Sequence, residues 1–251
     1  MNQTDNAVKA SLFVTCIIDQ FFPEVGEAAV RVLRRLGVDV EFDQSQTCCG
    51  QPAFNNGFWN DAKPTARRLV DSYEGEGNVV VPSGSCAAML RVFYNELFHD
   101  EHDTLRRAQA LAPHVFEFTE FVSDVLGAEN REGLFHATKP MRVTYHESCH
   151  LKRELGVDLQ PRSLIKSLPG VELVEMPQAE VCCGFGGTFS VKYADISAAM
   201  LNDKIANIQS ANVDAVVAGD MSCLMHIGGG LEKQEAGIRA IHIAQLLDER
   251  I

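Results

Sequence analysis

Eight cysteines carry the most specific chemistry in this sequence, and they fall into two sets of four with nearly the same spacing. In the first set 31 residues separate Cys16 from Cys48-Cys49-Gly50, and 36 separate Cys49 from Cys86. In the second, 32 residues separate Cys149 from Cys182-Cys183-Gly184, and 39 separate Cys183 from Cys223. No cysteine is left over. Iron–sulfur clusters are held by cysteine thiolates, four to a [4Fe–4S] centre, so the repeat predicts two such clusters. Zinc is the main rival metal, but structural zinc sites use cysteine pairs two to four residues apart, and neither set has one. Adjacent cysteines on a strand would point to opposite faces, so each Cys-Cys-Gly must turn for both sulfurs to meet one group; Gly50 and Gly184 permit that backbone.

Three histidines accompany the second set. His146 and His150 flank Cys149, and His226 follows Cys223 by three residues. Each is a candidate hydrogen-bond donor to a cluster sulfur or a proton carrier, against the plainer reading of a surface or packing histidine. Gly184-Phe185-Gly186-Gly187-Thr188 resembles a phosphate-cradling loop but lacks the Gly-x-Gly-x-x-Gly order; close approach of backbone to a cluster explains Gly186 and Gly187 better. Gly228-Gly229-Gly230 reads as a flexible turn. Phe21-Phe22, beside Cys16, is a candidate docking patch or core. Gln51–Gly57 reads as a polar loop over the first set.

The elements that must position these residues alternate strand and helix. Ala10–Thr15 is strand-like and ends at Cys16. Pro23–Leu36 has helical spacing, with Pro23 suited to a first turn and Gly37 to the stop. Val38–Phe42 reads as a strand before Cys48, Ala62–Tyr73 as a helix, Asn78–Pro82 as a buried strand delivering Cys86, and Ala87–Phe98 as a helix. Met141–Tyr145 precedes Cys149; Ser163–Leu168 is a short helix; Val171–Met176 is a strand before Cys182. Asp195–Ala211 is a helix, Asp214–Ala218 a strand before Cys223, and Ile238–Ile251 a strand then a helix. The predicted class is α/β: two pseudo-repeated Rossmann-like halves, residues 1–138 and 139–251, each a small, mainly parallel sheet flanked by helices. Asp100–His136 reads as a polar, partly helical connector. Ligands in such sheets bind beyond the carboxyl ends of the strands, which is where the cysteines fall.

Bulk properties set limits. The 251 residues are 46% apolar and 22% charged, enough for a real core. A net charge of −12 with no basic stripe argues against nucleic acid. No apolar run approaches the length of a membrane span. The amino-terminal sequence lacks the layout of a signal peptide, so a cytoplasmic chain with reduced thiols is expected, and disulfides are not.

SLFVTC, QTCCGQPAFNNG, PSGSC, ESCH, VCCGFGGTFSVK and SCLMHIGG together resemble the Cys-Cys-Gly domain family. That family includes the Cys-Cys-Gly subunit of heterodisulfide reductase, the glycolate oxidase iron–sulfur subunit and the lactate utilization protein A family, and the likeness to the last covers nearly the whole chain. The resemblance implies an iron–sulfur electron-transfer subunit in the oxidation of L-lactate to pyruvate. It also implies sister lactate-utilization proteins as partners, one of them a ferredoxin-like iron–sulfur protein, with the lactate chemistry belonging to a partner or to a site shared with one. One departure stands out. Where the heterodisulfide reductase relative has a Cys-x-x-Cys third element, five thiolates per module and a non-cubane cluster, this chain has Ser83 and Asp220 at the first of those positions. A four-thiolate [4Fe–4S] cluster is therefore the simpler reading, with disulfide-cleaving chemistry, weakened by this departure, as the alternative enzyme reading and a non-catalytic metal-stabilised scaffold as the third. Asp220 is expected to cap a helix, with an oxygen ligand as the alternative.

Overall fold

A computed structural model describes residues 8–251. The first sheet contains β1 (Lys9–Leu12), β2 (Asp39–Glu41), β3 (Val79–Val81) and β4 (Val115–Glu117) in the order β2-β1-β3-β4. The second contains β5 (Met141–Tyr145), β6 (Val171–Leu173), β7 (Ala215–Ala218) and β8 (Arg239–His242) in the order β6-β5-β7-β8. Every pairing is parallel. The two halves therefore share one topology as well as one cysteine spacing, and the predicted α/β class is what the chain adopts.

Central strands β3 and β7 are buried along their whole length, as their unbroken Val and Ala runs require of strands covered on both faces. Amphipathic helices supply the cover. Pro23–Arg35 starts on proline and presents Val25, Ala28, Ala29, Val32 and Leu33 to the core, and Gly37 turns the chain away at a φ of 88°. One apolar cluster runs through both sheets, joining Leu12, Leu33 and Val80 of the first half to Val143, Val217 and Leu246 of the second. Polar contacts follow the same seam. Arg31 Nε meets Asp248 Oδ2 at 2.8 Å, and Arg35 Nη1 donates to the Ile251 carbonyl at 3.0 Å.

Several boundaries and two assignments differ from expectation. The Asp100–His136 segment holds β4, the fourth strand of the first sheet, which three residues followed at once by a helix did not betray. Gly228-Gly229-Gly230 lies inside the helix Met221–Lys233 rather than in a turn. A Cβ on Gly230 would stand 2.5 Å from Ile205 Cδ1, and one on Gly228 would stand 3.3 Å from Ala240 Cβ, so close packing accounts for glycine there. The Ala87–Phe98 helix is helical but opens into a π turn at Met89–Phe93. β1 ends at Leu12, and β6 ends at Leu173 because the Met176 N–H turns to Thr144 Oγ1 (3.1 Å). The short helix runs Leu159–Lys166, with Pro161 tolerated in its first turn. Among the described residues, no helix is long and apolar enough to cross a membrane.

Candidate metal centre

Each cysteine set is assembled by the same parts. Cys16 and Cys149 open short helices at the ends of the segments that follow β1 and β5. Cys86 and Cys223 lie in the first turn of helices that follow β3 and β7. The paired cysteines sit on turns closed by Gly50 and Gly184, at φ values of 84° and 89°. Those turns press on the next long helix. A Cβ would lie 3.2 Å from the Ala62 carbonyl oxygen at Gly50 and 2.8 Å from that of Ser197 at Gly184. Gly186 and Gly187 also have positive φ, but a Cβ on Gly186 would strike Phe189 Cβ at 2.8 Å, so that part of the loop is shaped by its own helix.

All eight thiols are free. Cys16 Sγ lies 3.7 Å from Cys48 Sγ, and Cys49 Sγ lies 3.5 Å from Cys86 Sγ, well beyond the roughly 2.05 Å of a disulfide. The Gly50 N–H points at Cys48 Sγ (3.5 Å) and the Gly184 N–H at Cys182 Sγ (3.4 Å), the same backbone donor in each half. Thiol donation from Cys16, then Cys49, holds Cys48 down at about 3; donation from Cys149, then Cys183, holds Cys182 down at about 2. Cys16 and Cys149 are pushed up in return, first because they donate and then by burial. Cys223 is held down at about 6, chiefly by Cys183. Each set thus contains a ready thiolate, the form that binds metal.

The two sets do not occupy separate places. All eight cysteines line one cavity of about 250 Å³, together with Gln51, Asn55, His150, Asp220 and the Gly186-Gly187 loop. Ser83 and Asp220 explain why the halves meet here. Ser83 caps the helix carrying Cys86, Asp220 caps the helix carrying Cys223, and Ser83 Oγ donates to Asp220 Oδ2 at 3.0 Å across the seam. The Ser85 N–H also donates to Asp220 Oδ2 (2.8 Å), and the Gly84 N–H to the Gly219 carbonyl (3.3 Å). The capping expectation for Asp220 holds, and its carboxylate is spent on four donors rather than held free.

The histidines divide. His146 is fully buried, lies within 4.8 Å of Cys183 and Cys223, and has both ring nitrogens without a hydrogen-bond partner. Among the described residues the two thiols are the groups clustered with that imidazole, and, after Cys183, His146 helps to hold Cys223 down. His226 packs on Phe185 and meets Ser197 Oγ at 3.3 Å, and burial lowers its pKa. His150 lines the shared cavity, its ring edge-on to Phe93 of the first half at 5.5 Å between centroids. Gln51, Pro52 and Asn55 line the cavity, and Asn56 Oδ1 accepts from Thr188 Oγ1 (2.7 Å) and Lys192 Nζ (2.8 Å), tying the first loop to the second. Phe21 is exposed, whereas Phe22 packs on the core. Lys204 escaped the reading from sequence. It is 1% exposed and donates to the carbonyls of Gln178 (2.7 Å) and Ala179 (3.1 Å) just ahead of Cys182. Its signal was a lysine on the apolar stripe of its own helix, beside Ile205 and Ile208.

Clustered soft thiolates with backbone N–H donors suit an iron–sulfur group. Comparison with known proteins agrees with this donor set. The model of the cysteine-rich domain family matches twice, at residues 10–91 and 143–228, once per half. Lactate utilization protein A of Bacillus velezensis is 43% identical over 97% of this chain and 100% of its own length. The protein of that name from Geobacillus kaustophilus is 45% identical over the same shares, and lactate utilization protein A 2 of Bacillus cereus is 39% identical over 96% of this chain and 98% of its own. With the paired domains, the cysteine geometry and near full-length identity in agreement, the chain belongs to the cysteine-rich domain family and, within it, to the lactate utilization protein A family.

Proposed function

We propose that the chain is the iron–sulfur electron-transfer subunit of a system that oxidises L-lactate to pyruvate. Cys16, Cys48, Cys49 and Cys86 would hold one [4Fe–4S] cluster, and Cys149, Cys182, Cys183 and Cys223 the other. The observation that carries this reading is the opening of both four-thiol sets onto one cavity. Such clusters, when bound, supply one-electron transfer. Lactate gives up two electrons and two protons on becoming pyruvate, so a pair of one-electron sites within one molecule matches the stoichiometry. The Gly50 and Gly184 amides would donate to ligand sulfurs and ease reduction, and the Gln51–Asn55 and Gly186-Gly187 segments would keep bulk water from the thiolates. The names of the relatives support lactate as the fuel and sister lactate-utilization proteins as partners; a ferredoxin-like partner is what the family resemblance implies.

Ser83 and Asp220 weigh against disulfide cleavage at a five-thiolate cluster, since both are occupied in helix caps and in bonding one another. Anaerobic purification with iron, sulfide and zinc assays tests the proposal. About four irons and matching sulfide per half are expected, with low-temperature EPR of the cubane type. L-lactate should bleach the cluster absorbance only when the sister proteins are present. Stoichiometric zinc without labile sulfide, or bleaching by a thiol substrate and none by lactate in the full complex, would overturn it.

A further inference from the structure

The two halves match in topology, turns and thiols, so a charged group present behind one set alone is informative. Lys204 is such a group. The Gly50 turn rests on Ala62 and the Gly184 turn on Ser197, which aligns the helices Trp59–Tyr73 and Ala194–Ser210. Seven residues beyond those contacts stand Leu69 in the first half and Lys204 in the second, both buried. Leu69 packs in the same apolar cluster as Cys49 and Cys86; the neighbours of Lys204, Ala179 and Ile205, pack with Cys183 and Cys223.

Lys204 has no ion-pair partner among the described residues; burial lowers its pKa, and the thiols of the second set and Glu180 oppose that. Its Nζ meets two carbonyl oxygens, and among the described residues no carboxylate lies within ion-pair distance of it. Lys63, the buried lysine of the first half, is answered by Asp100 (2.5 Å) and Glu101 (3.6 Å). The role that Lys204 plays for the second loop falls in the first half to a neutral phenol: Tyr73 Oη reaches Gln46 Oε1 (3.2 Å) and the Leu12 carbonyl (3.4 Å). The buried anion of the seam is common to both sets, whereas Lys204 has no counterpart in the first. Asp220 stands between the sets: Oδ2 accepts from Ser83 and the Ser85 amide beside Cys86, Oδ1 from Ser222 beside Cys223.

A positive charge held in a poorly polarisable interior favours the more negative of two redox states and so raises a reduction potential. We propose that Lys204 makes the second cysteine set the electron sink of the molecule, its reduction potential lying above that of the first set, an assignment that rests on the reading of both sets as iron–sulfur sites. Electrons entering at the first set then run downhill across the shared cavity to the second. Lys204 is a positioning residue in this role: it also fixes the carbonyls that lead to Cys182, so charge and scaffolding have to be separated by experiment.

EPR-monitored redox titration of the anaerobically purified full chain separates them. Lys204→Met removes charge and donor; Lys204→Gln removes the charge but keeps a donor; Lys204→Arg keeps both. In the Met and Gln variants the upper of the two potentials should fall, changing the electron distribution between the sites by about tenfold, or ~59 mV for one electron, with the lower potential, iron and sulfide unchanged. The Arg variant and Lys63→Met should titrate like the wild type. Fully loaded Met and Gln variants with both potentials unmoved, or a Gln variant that titrates like wild type while Met does not, overturn the assignment and leave the cluster reading standing. Wild-type protein without iron and sulfide overturns the cluster reading and the assignment with it.

Discussion

Glu117 and His242 occupy the same position in the two sheets, at the end of β4 and of β8, and each caps the helix that follows by a reciprocal capping box. Both are fully buried, and each keeps one side-chain atom without a partner, Glu117 Oε1 and His242 Nε2. Burial acts on them in opposite senses. It pushes the Glu117 carboxyl up to about 8 and brings the His242 imidazole down to about 4. For His242 the unfolded chain binds the extra proton between about pH 4 and the ordinary 6.5, so its contribution to stability is intact above 6.5 and is lost as pH falls toward 4. For Glu117 the folded chain binds the extra proton, so its contribution is intact below about pH 4.5 and is lost as pH rises toward 8. Between about pH 4.5 and 6.5 the two slopes offset one another; above 6.5, of this pair only Glu117 acts. The Glu117 share should therefore fall by an amount on the order of 2 kcal/mol from pH 6.5 to pH 8, read in urea unfolding as a decline in wild type relative to Glu117→Gln over that range. A Gln variant whose stability follows the wild-type pH profile would rule out a Glu117 contribution.

At the scale of elements, glycines decide where helices meet turns. Gly184 has a φ of 89°, and any Cβ there would press on Ser197 backbone at 2.8 Å. Backbone cannot give way as a flexible side chain can, so Gly184→Ala should destabilise by about 3 kcal/mol, strain and overpacking together. Gly230 is right-handed and meets only side chains, Ile205 Cδ1 and Leu201 Cδ2, so Gly230→Ala should cost less, about 1–2 kcal/mol, part of it offset by better helix propensity. Unfolding midpoints of the two variants in urea check the order. Gly184 was legible because it follows a cysteine pair that has to turn, and the central strands were legible because β3 and β7 are continuous apolar runs. Gly230 was not, since its partners on the preceding long helix are known only once that helix is packed. The three-residue β4 failed for a related reason: Val-Phe-Glu has no period of its own, and the ladder with β3 makes it a strand. Among site residues, spacing grouped the cysteines into two sets of four, while Lys204 and the His150–Phe93 contact depend on packing between elements far apart in sequence.

Across the whole molecule, the spacing of the cysteines implied two modules, and the structure joins them through one apolar cluster and one buried polar seam. Nothing in a repeat announces whether its copies face each other; here Asp220 does the joining. Its carboxylate accepts from Ser83 Oγ, the Ser85 N–H, the Ser222 N–H and Ser222 Oγ, at 1% exposure, and burial with so many donors still leaves it with a pKa below its ordinary value. Removing it by Asp220→Ala leaves two backbone N–H groups near the thiols without an acceptor, a loss of about 3 kcal/mol. The cost should be felt in both halves. The single tryptophan, Trp59, stacks on Phe54 in the first half at 5.4 Å between centroids, whereas Asp220 belongs to the second. Trp59 fluorescence followed through urea unfolding should therefore show one transition, coincident with that seen by circular dichroism, and Asp220→Ala should move both to lower urea by the same amount. If the circular dichroism transition moves while that of Trp59 stays, the halves unfold independently and the seam is a contact between two domains rather than part of one cooperative core.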